Sequence, residues 1–503
     1  MHWADVEAQG LPEDAVIATG VAPSGPIHLG GLREVLTGDA LARAADGKLI
    51  LIVDSMDPLR KVYPFLDDTY EEHVGKPLSD VPCPCGEHAS YSEHYLENFL
   101  ESLKELGVEL TIKYAHEMYA KGEYEEATRK IINNREKAIS IIKEHTGRDL
   151  DDGWYPYNPI CSECGKMDGI KVTKFEDPFV HYSCPCGHQG KADIRTDQGK
   201  LPWRCDWPAR WWILGVDCEP FGKDHAASGG SWDTGKDIIE KILEEDAPHP
   251  VVYEWIQLKG QGPMSSSTGV AITAEDMVKT VGPEIVRFII MRPKPSSHID
   301  FDPALGLLDT VDEYDSYQEQ YFENDDVDMK RIYELSQVEQ VPDTKPQSIP
   351  FRHMVNLVQI YDDFDKIWNI ARKTELINEP TEQDRRRMED RIRHVENWLD
   401  NFAPEMVKFS IKEELPDVEL TDDEIKFLSE YRKSLDDAEW TSERLHQLVH
   451  ENAEKVGLAK GKAFRVFYKI LLGKSKGPRL GRFLMQLEED FVKTRIEIVV
   501  HNK

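Results

Sequence analysis

Two short loops and two groups of cysteines hold the residue types in this 503-residue chain that could do chemistry. The first loop reads Pro23-Ser24-Gly25-Pro26-Ile27-His28-Leu29-Gly30-Gly31. It follows an apolar run and opens a stretch with helical spacing. Backbone N–H groups at a helix start bind phosphate with help from the macrodipole, and glycine lets an anion approach closely. A histidine there can donate a hydrogen bond to a phosphate oxygen. The loop is neither a Walker loop nor a GxGxxG turn. The second loop, Gly260-Gln261-Gly262-Pro263-Met264-Ser265-Ser266-Ser267-Thr268-Gly269, sets hydroxyls between glycines and could wrap an anion. Singly, the first fits a tight strand-to-helix turn equally well, and the second fits a polar linker better.

Six of the eight cysteines stand in CxC or CxxC pairs, a pattern that in a reducing compartment points to metal before disulfide. Cys161-x-x-Cys164 and Cys184-x-Cys186-x-His188 are separated by 19 residues. Two knuckles so spaced predict a tetrahedral zinc site, with Cys161, Cys164 and Cys184 as three ligands and Cys186 or His188 as the fourth. Cys83, Cys85, His88 and His94, with Glu87 between them, could form a second. Four protein ligands leave no open position for water, so both sites would be structural. Cys205 and Cys218 read as buried thiols.

The elements that must position these residues follow from apolar spacing. Residues 15–20 (AVIATG) and 48–53 (KLILIV) read as buried strands, and 108–114 as a third. Between the first two, Leu32, Val35, Leu36, Ala40, Leu41 and Ala44 recur at helical period. Strand, loop, helix and strand make a βαβ unit and predict a parallel sheet. Residues 251–255 (VVYEW) read as a further strand. From 351 onward, stripes over 351–374, 381–402, 422–435, 441–456 and 460–472 predict helices. The expected division is an α/β catalytic domain over 1–79 and 213–311, a zinc-bearing insertion over 80–212, an acidic linker over 312–350 and an all-α domain over 351–503.

Other runs sharpen the reading: Leu201-Pro202-Trp203-Arg204-Cys205-Asp206-Trp207-Pro208-Ala209-Arg210-Trp211, then Glu219-Pro220-Phe221-Gly222-Lys223-Asp224-His225, then Gly229-Gly230-Ser231-Trp232-Asp233-Thr234-Gly235, and Lys474-Ser475-Lys476-Gly477-Pro478-Arg479 near the end. Together with the two loops this set closely resembles class I lysyl-tRNA synthetase, the form typical of archaea, over nearly the whole chain. The resemblance implies a Rossmann-type catalytic domain and an all-α anticodon-binding domain. It implies activation of L-lysine by ATP and Mg²⁺ and transfer to tRNA(Lys), with release of AMP and diphosphate. Pro23, Ser24, Gly25, His28, Gly30, Gly31, Met264, Ser265, Ser266, Ser267 and Thr268 would then hold ATP, with His28, Ser265, Ser266 and Ser267 catalytic. Gly20, Asp54, Trp211, Asp224 and His225 are the candidates for the lysine pocket. Asp54 follows the second strand, where α/β sites form, and a buried ammonium needs an anion. The family pattern favours His188 as fourth ligand of the one zinc site. It supports Cys83, His88 and His94 in the other, completed by Cys85 or Glu87. The sequence departs from the family in the second loop, whose usual lysines are replaced by Pro263 and Thr268. Lys259 and Lys223 are the candidate substitutes.

A net charge of −32, with 93 Asp and Glu against 61 Lys and Arg, would repel nucleic acid at ordinary salt. Given an RNA substrate, this charge reads as adaptation to a salt-rich cytosol, where screening shortens to a few Å. Arg385, Arg386 and Arg387, and the run Lys474, Lys476, Arg479 and Arg482, are basic islands that could meet phosphates, with Phe467 and Tyr468 stacking on bases. No apolar run approaches the ~20 residues of a membrane span, and no signal peptide is visible, so a cytoplasmic protein, expected to be a monomer, is read. The competing readings are a class I synthetase for another amino acid, such as glutamate, and a zinc-bearing RNA-binding protein that has lost activation.

Overall fold

The computed structural model describes residues 1–151, 153–260, 262–263, 272–374 and 376–501. They divide into two units, one of residues 1–278, 283–302 and 316–341, the other of 279–282, 303–315 and 342–503.

The first unit is built on β1 (Val16–Val21), α1 (Leu29–Ala45), β2 (Lys48–Val53), α2 (Tyr91–Glu105), β3 (Thr111–Tyr114), α3 (Trp203–Leu214), β4 (Cys218–Gly222) and β5 (His249–Tyr253). The strands form one parallel sheet in the order β5-β4-β1-β2-β3. Both faces of its centre are covered, which is why β1 and β2 read as near-continuous apolar runs rather than alternating ones. β2 matches its expected span, and β5 begins two residues earlier than expected. Strand order reverses between β1 and β4, and the crevice at the carboxyl ends of those strands is where open α/β sheets bind ligands.

The stretch 80–212 is only partly a separate insertion. β3 belongs to the main sheet, and Tyr119, Tyr124, Ile131 and Ile141 share one core with Ala18, Ile52, Trp207 and Trp211. The self-contained part is a three-stranded antiparallel sheet of Lys171–Glu176, Phe179–Ser183 and Gln189–Asp193. Its core is small and includes Cys161 and Cys184.

Residues 312–350 do not form a plain linker. Helices span Leu305–Glu323 and Val327–Ser336, the latter capped by Asp326, whose side chain accepts from Asp328 and Met329 N–H. Acidic residues here serve as caps and solvated faces of helices.

The second unit carries α4 (Phe351–Ile360), α5 (Phe364–Lys373), α6 (Glu382–Asn401), α7 (Asp422–Ser434), α8 (Ser442–Val456), α9 (Lys460–Leu472), α10 (Leu480–Gln486) and α11 (Glu489–His501). The stripe over 351–374 is two helices: the first ends at Ile360, and Asp363 caps the second through Lys366 N–H. Thr381 and Thr421 open α6 and α7 with capping boxes. Phe427, Leu448, Phe467, Leu471 and Phe483 fill a common core.

α1 is tied down by a buried ion pair. Arg287, fully buried, donates to Asp39 Oδ2 at 2.6 Å and to the carbonyls of Leu335 and Leu106 at 2.8 and 3.1 Å. Removing one member of such a pair costs about 3–5 kcal/mol because the other charge stays buried. Asp39→Ala is therefore expected to lower the stability of the first unit by that amount in urea unfolding followed by tryptophan fluorescence. A loss below about 1 kcal/mol, the scale of an exposed pair, would contradict it.

Candidate active site

A cleft of about 450 Å³ opens at the switch point of the sheet. Its walls are Gly20 to Ala22 at the end of β1, Gly222, Asp224 and His225 after β4, Tyr253 to Ile256 after β5, and Ser24, Gly25, His28, Gly30, Gly31, Arg33 and Glu34 from the first loop and α1. Of the expected ATP residues, Ser24, Gly25, His28, Gly30 and Gly31 line it, and Pro23 stands beside Ser24 in the same loop. Met264, Ser265, Ser266, Ser267 and Thr268 lie outside the described residues. The chain on either side of them is placed. Gly262–Pro263 pairs with Ile256–Leu258, and Thr273 bridges to His28 while Leu29 N–H donates to Ile272 O at 3.0 Å. The segments flanking the second loop thus attach beside the cleft and at the first loop.

His28 is the N-cap of α1, and its Nδ1 accepts from Gly30 N–H at 2.9 Å. An accepting Nδ1 carries no proton, so the neutral ring holds its proton on Nε2, where it is a donor. Burial lowers the His28 pKa and favours this neutral form.

At the inner end of the cleft stands Glu34 of α1. Its Oε1 accepts from Gly20 N–H at 2.8 Å and its Oε2 from the Tyr253 hydroxyl at 2.6 Å. Burial pushes its pKa up to about 7 against those two hydrogen bonds. Behind it, Glu219 of β4 accepts from the indoles of Trp207 and Trp211, and burial lifts it to about 8. Sequence reading passed over Glu34. The signal was present: a carboxylate one turn beyond the glycines, between the apolar Leu32, Val35 and Leu36 that mark the covered face of α1.

Asp54 and Trp211, expected in the lysine pocket, do not line the cleft. Asp54 Oδ1 takes the Arg210 guanidinium, whose Nε also donates to Asp206 Oδ1 at 2.7 Å. Lys200 Nζ completes the group, 2.7 Å from Asp57 Oδ1 and 3.7 Å from Asp206 Oδ2. Burial opposes the charge on Asp206, yet Arg210 and Lys200 hold it below the ordinary carboxylate range. Trp211 is spent on Glu219 and on the aromatic packing with Trp207 and Trp232. Gly20, Asp224 and His225 do line the cleft. Asp224 Oδ2 accepts from Trp255 Nε1 at 3.0 Å, and His225 Nδ1 lies 2.9 Å from Ser231 Oγ. Of the two substitute cations, Lys223 lies over the Trp255 ring at 4.3 Å and pairs with Glu254, while Lys259 is exposed and 3.7 Å from Asp302.

The cysteine groups assemble. Cys161, Cys164, Cys184 and Cys186 converge, with Cys161 to Cys186 and Cys164 to Cys184 Sγ distances both 3.7 Å. A zinc tetrahedron with bonds of about 2.3 Å has edges of about 3.8 Å, so the thiols fit that ion. The family-favoured His188 is not in the cluster. Its Nε2 faces Ser162 Oγ at 3.1 Å, because its backbone carbonyl is tied to Cys184 N–H and closes the knuckle. Cys83, Cys85, His88 and His94 form the second group, with Sγ to Nδ1 distances of 3.2–3.7 Å. Glu87 is exposed and outside it. Glu97 stands in support instead, 2.6 Å from His88 Nε2, which frees Nδ1 for a metal. Phe467 and Tyr468 are core residues, closed to base stacking.

A family model described as tRNA synthetases class I (K) matches residues 1–339, and one described as an anticodon binding domain matches 385–500. The chain belongs to the class I (K) tRNA synthetases. A lysine–tRNA ligase of Archaeoglobus fulgidus is 44% identical over 99% of both chains. One from Thermoplasma volcanium is 42% identical over the same share. A solved glutamate tRNA ligase from Elizabethkingia meningosepticum overlaps at a TM-score of 0.46 and 14% identity, covering 97% of this chain and 99% of that one, too distant to bear on substrate.

The two clusters of this synthetase are expected to hold two zinc ions per chain by atomic emission. Cys186→Ser should lower the count by one, and His188→Ala should leave it at two. Loss of an ion with His188→Ala alone would overturn the four-thiol assignment.

Proposed function

We infer that this chain joins L-lysine to tRNA(Lys), consuming ATP and releasing AMP and diphosphate. The observation that carries the reading is the cleft itself. A fixed Nε2–H donor and a helix start meet a buried carboxylate across one cavity. The first can take a triphosphate and the second an ammonium.

In the first step the lysine carboxylate oxygen attacks the α-phosphorus; the new P–O bond forms as the bond to diphosphate breaks, giving lysyl-adenylate. A hydroxyl of the terminal tRNA ribose then attacks the acyl carbon, AMP leaves, and the hydroxyl proton passes to solvent. The protein forms no covalent bond. It supplies position and charge. His28 donates to a phosphate oxygen from Nε2, and the N–H groups opening α1 face the same anion. Mg²⁺, bound with ATP, would neutralise charge on the leaving diphosphate. The Ser265 to Ser267 loop would cover the triphosphate, with Lys223 and Lys259 the candidates for the role its absent lysines would have played. Glu34 would take the lysine ammonium at the inner end, in place of Asp54, with Gly20, Asp224 and His225 bounding substrate. The two zinc ions would be structural, one bracing the antiparallel sheet and one the start of α2. The acidic surface fits a salt-rich cytoplasm, and a monomer would suffice, since the described walls of the cleft all come from one chain.

Amino-acid-dependent exchange of diphosphate into ATP, over all twenty amino acids, with and without tRNA and at low and molar KCl, tests the reading. Exchange with lysine alone, stronger in molar KCl, is expected. His28→Asn keeps a competent cap but loses the placed donor, and should cut exchange by about 10²-fold, the scale of one transition-state donor. Ammonium binding favours ionised Glu34, so lysine affinity should rise as pH climbs through about 7 and level off above it. Glu34→Gln should flatten that rise. Exchange driven by a different amino acid would overturn the lysine assignment, and none under any condition would favour an RNA-binding protein without activation.

A further inference from the structure

The first loop is held from outside by a helix that starts at a cysteine and histidine cluster. Tyr91 opens α2, three residues before the cluster's His94. Its ring is fully buried in a small core with Leu59, Tyr63, Tyr70, Leu78 and Val81. From there the Tyr91 hydroxyl donates to Ser24 O at 2.9 Å. A second line runs through rings. His94 meets Tyr95 edge-on at 4.6 Å, and Tyr95 meets Phe65 at 5.5 Å. The Phe65 ring presses on Gly25, where a Cβ would lie 2.7 Å from its Cζ. Ser24 and Gly25 both line the cleft.

The start of α2 depends on that cluster. Tyr91 N–H donates to Val81 O at 2.8 Å and Ser92 N–H to Leu78 O at 3.3 Å, which closes the chain between them into a loop. Residues 82–89 of this loop carry Cys83, Cys85 and His88 and, apart from two prolines and an alanine, no apolar side chain. A core this small gains order from a bound metal, whose binding energy becomes folding energy. Nor does the first loop pack on α2 along its whole length. A cavity of about 330 Å³ lies between Pro26 and Ile27 on one side and His94, Asn98 and Phe99 on the other. The loop has room to shift there, so its position is set at Ser24 and Gly25.

We propose that Tyr91 and Phe65 are positioning residues for ATP, which carry the rigidity of the metal-filled Cys83, Cys85, His88 and His94 cluster to the first loop. A loop already held in its binding shape loses less conformational freedom when a triphosphate arrives, so the brace raises affinity without touching the ligand. The lysine side is supported separately: Glu34 is fixed by Gly20 of β1 and Tyr253 of β5, and neither bond involves α2. Loss of the ion from this cluster therefore weakens ATP and spares lysine. The proposal rests on the ATP reading of the first loop given above and deepens it, since one of the two clusters then acts on substrate binding from outside the cleft.

The test is separate calorimetric titration of ATP with Mg²⁺ and of lysine into the full-length chain, with zinc counted by atomic emission and fold checked by circular dichroism. Tyr91→Phe keeps the ring in its core and deletes only the hydroxyl. It should retain both zinc ions, weaken ATP about fivefold, the scale of one neutral hydrogen bond, and leave lysine affinity within about twofold, less than that bond's scale. Cys83→Ser/Cys85→Ser should lose one zinc ion and weaken ATP at least as much. The combined variant should bind ATP no more weakly than the cysteine pair alone, because both changes break the same link. ATP affinity unchanged in Tyr91→Phe, ATP affinity unchanged in a cysteine pair that has lost its ion, or additive losses in the combined variant would each overturn the proposal. So would equal losses of ATP and lysine affinity, which mark a general loosening of the first unit. Wild-type protein that binds no ATP would instead remove the ATP reading of the loop beneath it.

Discussion

Arg210 lies buried between Asp54 at the end of β2 and Asp206 one turn earlier on α3, and the cleft depends on that contact. A guanidinium so placed must keep both partners, since a lone buried charge costs several kcal/mol. The pairing fastens α3 to the sheet. α3 in turn carries Trp207 and Trp211, whose indoles fix Glu219 beneath the cleft floor. Arg210 also reaches the substrate side: a Cβ at Gly20 would lie 4.0 Å from its Nη1 and from Glu34 Oε1. One cation therefore anchors the helix and borders the inner end of the cleft.

This arrangement sorts the carboxylates into two kinds. Asp54, Asp57 and Asp206 are paired with Arg210 and Lys200, which hold Asp206 below the ordinary carboxylate range, while burial outweighs the same cations at Asp54 and raises it. Glu34 and Glu219 meet only neutral donors, from Gly20, Tyr253 and two indoles, and burial raises both. A carboxylate bordered by neutral donors is ready for a cationic ligand, because ionising it then gains a charge partner.

Much of this was legible from residues. Continuous apolar runs marked β1 and β2, and the glycine-rich loop between them marked the helix start that His28 caps. The cysteine spacing marked both clusters. What the sequence concealed is instructive. His188 has ligand spacing but is pulled away by its own backbone bond to Cys184. Asp54 stands at the right end of the right strand, yet Arg210, 156 positions along the chain, occupies it. Glu34 sits within a helix whose pattern reads as core. Spacing reports local geometry well; it carries no record of which distant charge arrives to neutralise a buried group. The 312–350 stretch misleads for a related reason, since its acids cap helices and face solvent, and composition alone reads as a linker.

The most direct test of this account is calorimetric titration of lysine into Arg210→Met, with far-ultraviolet circular dichroism on the same sample. Loss of the cation should leave Asp54 and Asp206 with Lys200 as their remaining buried counter-charge and displace α3 from the sheet. Lysine affinity is predicted to fall at least tenfold while helix content stays near wild type. Lysine bound with wild-type affinity by this variant would contradict the dependence of the cleft on the Arg210 pairing.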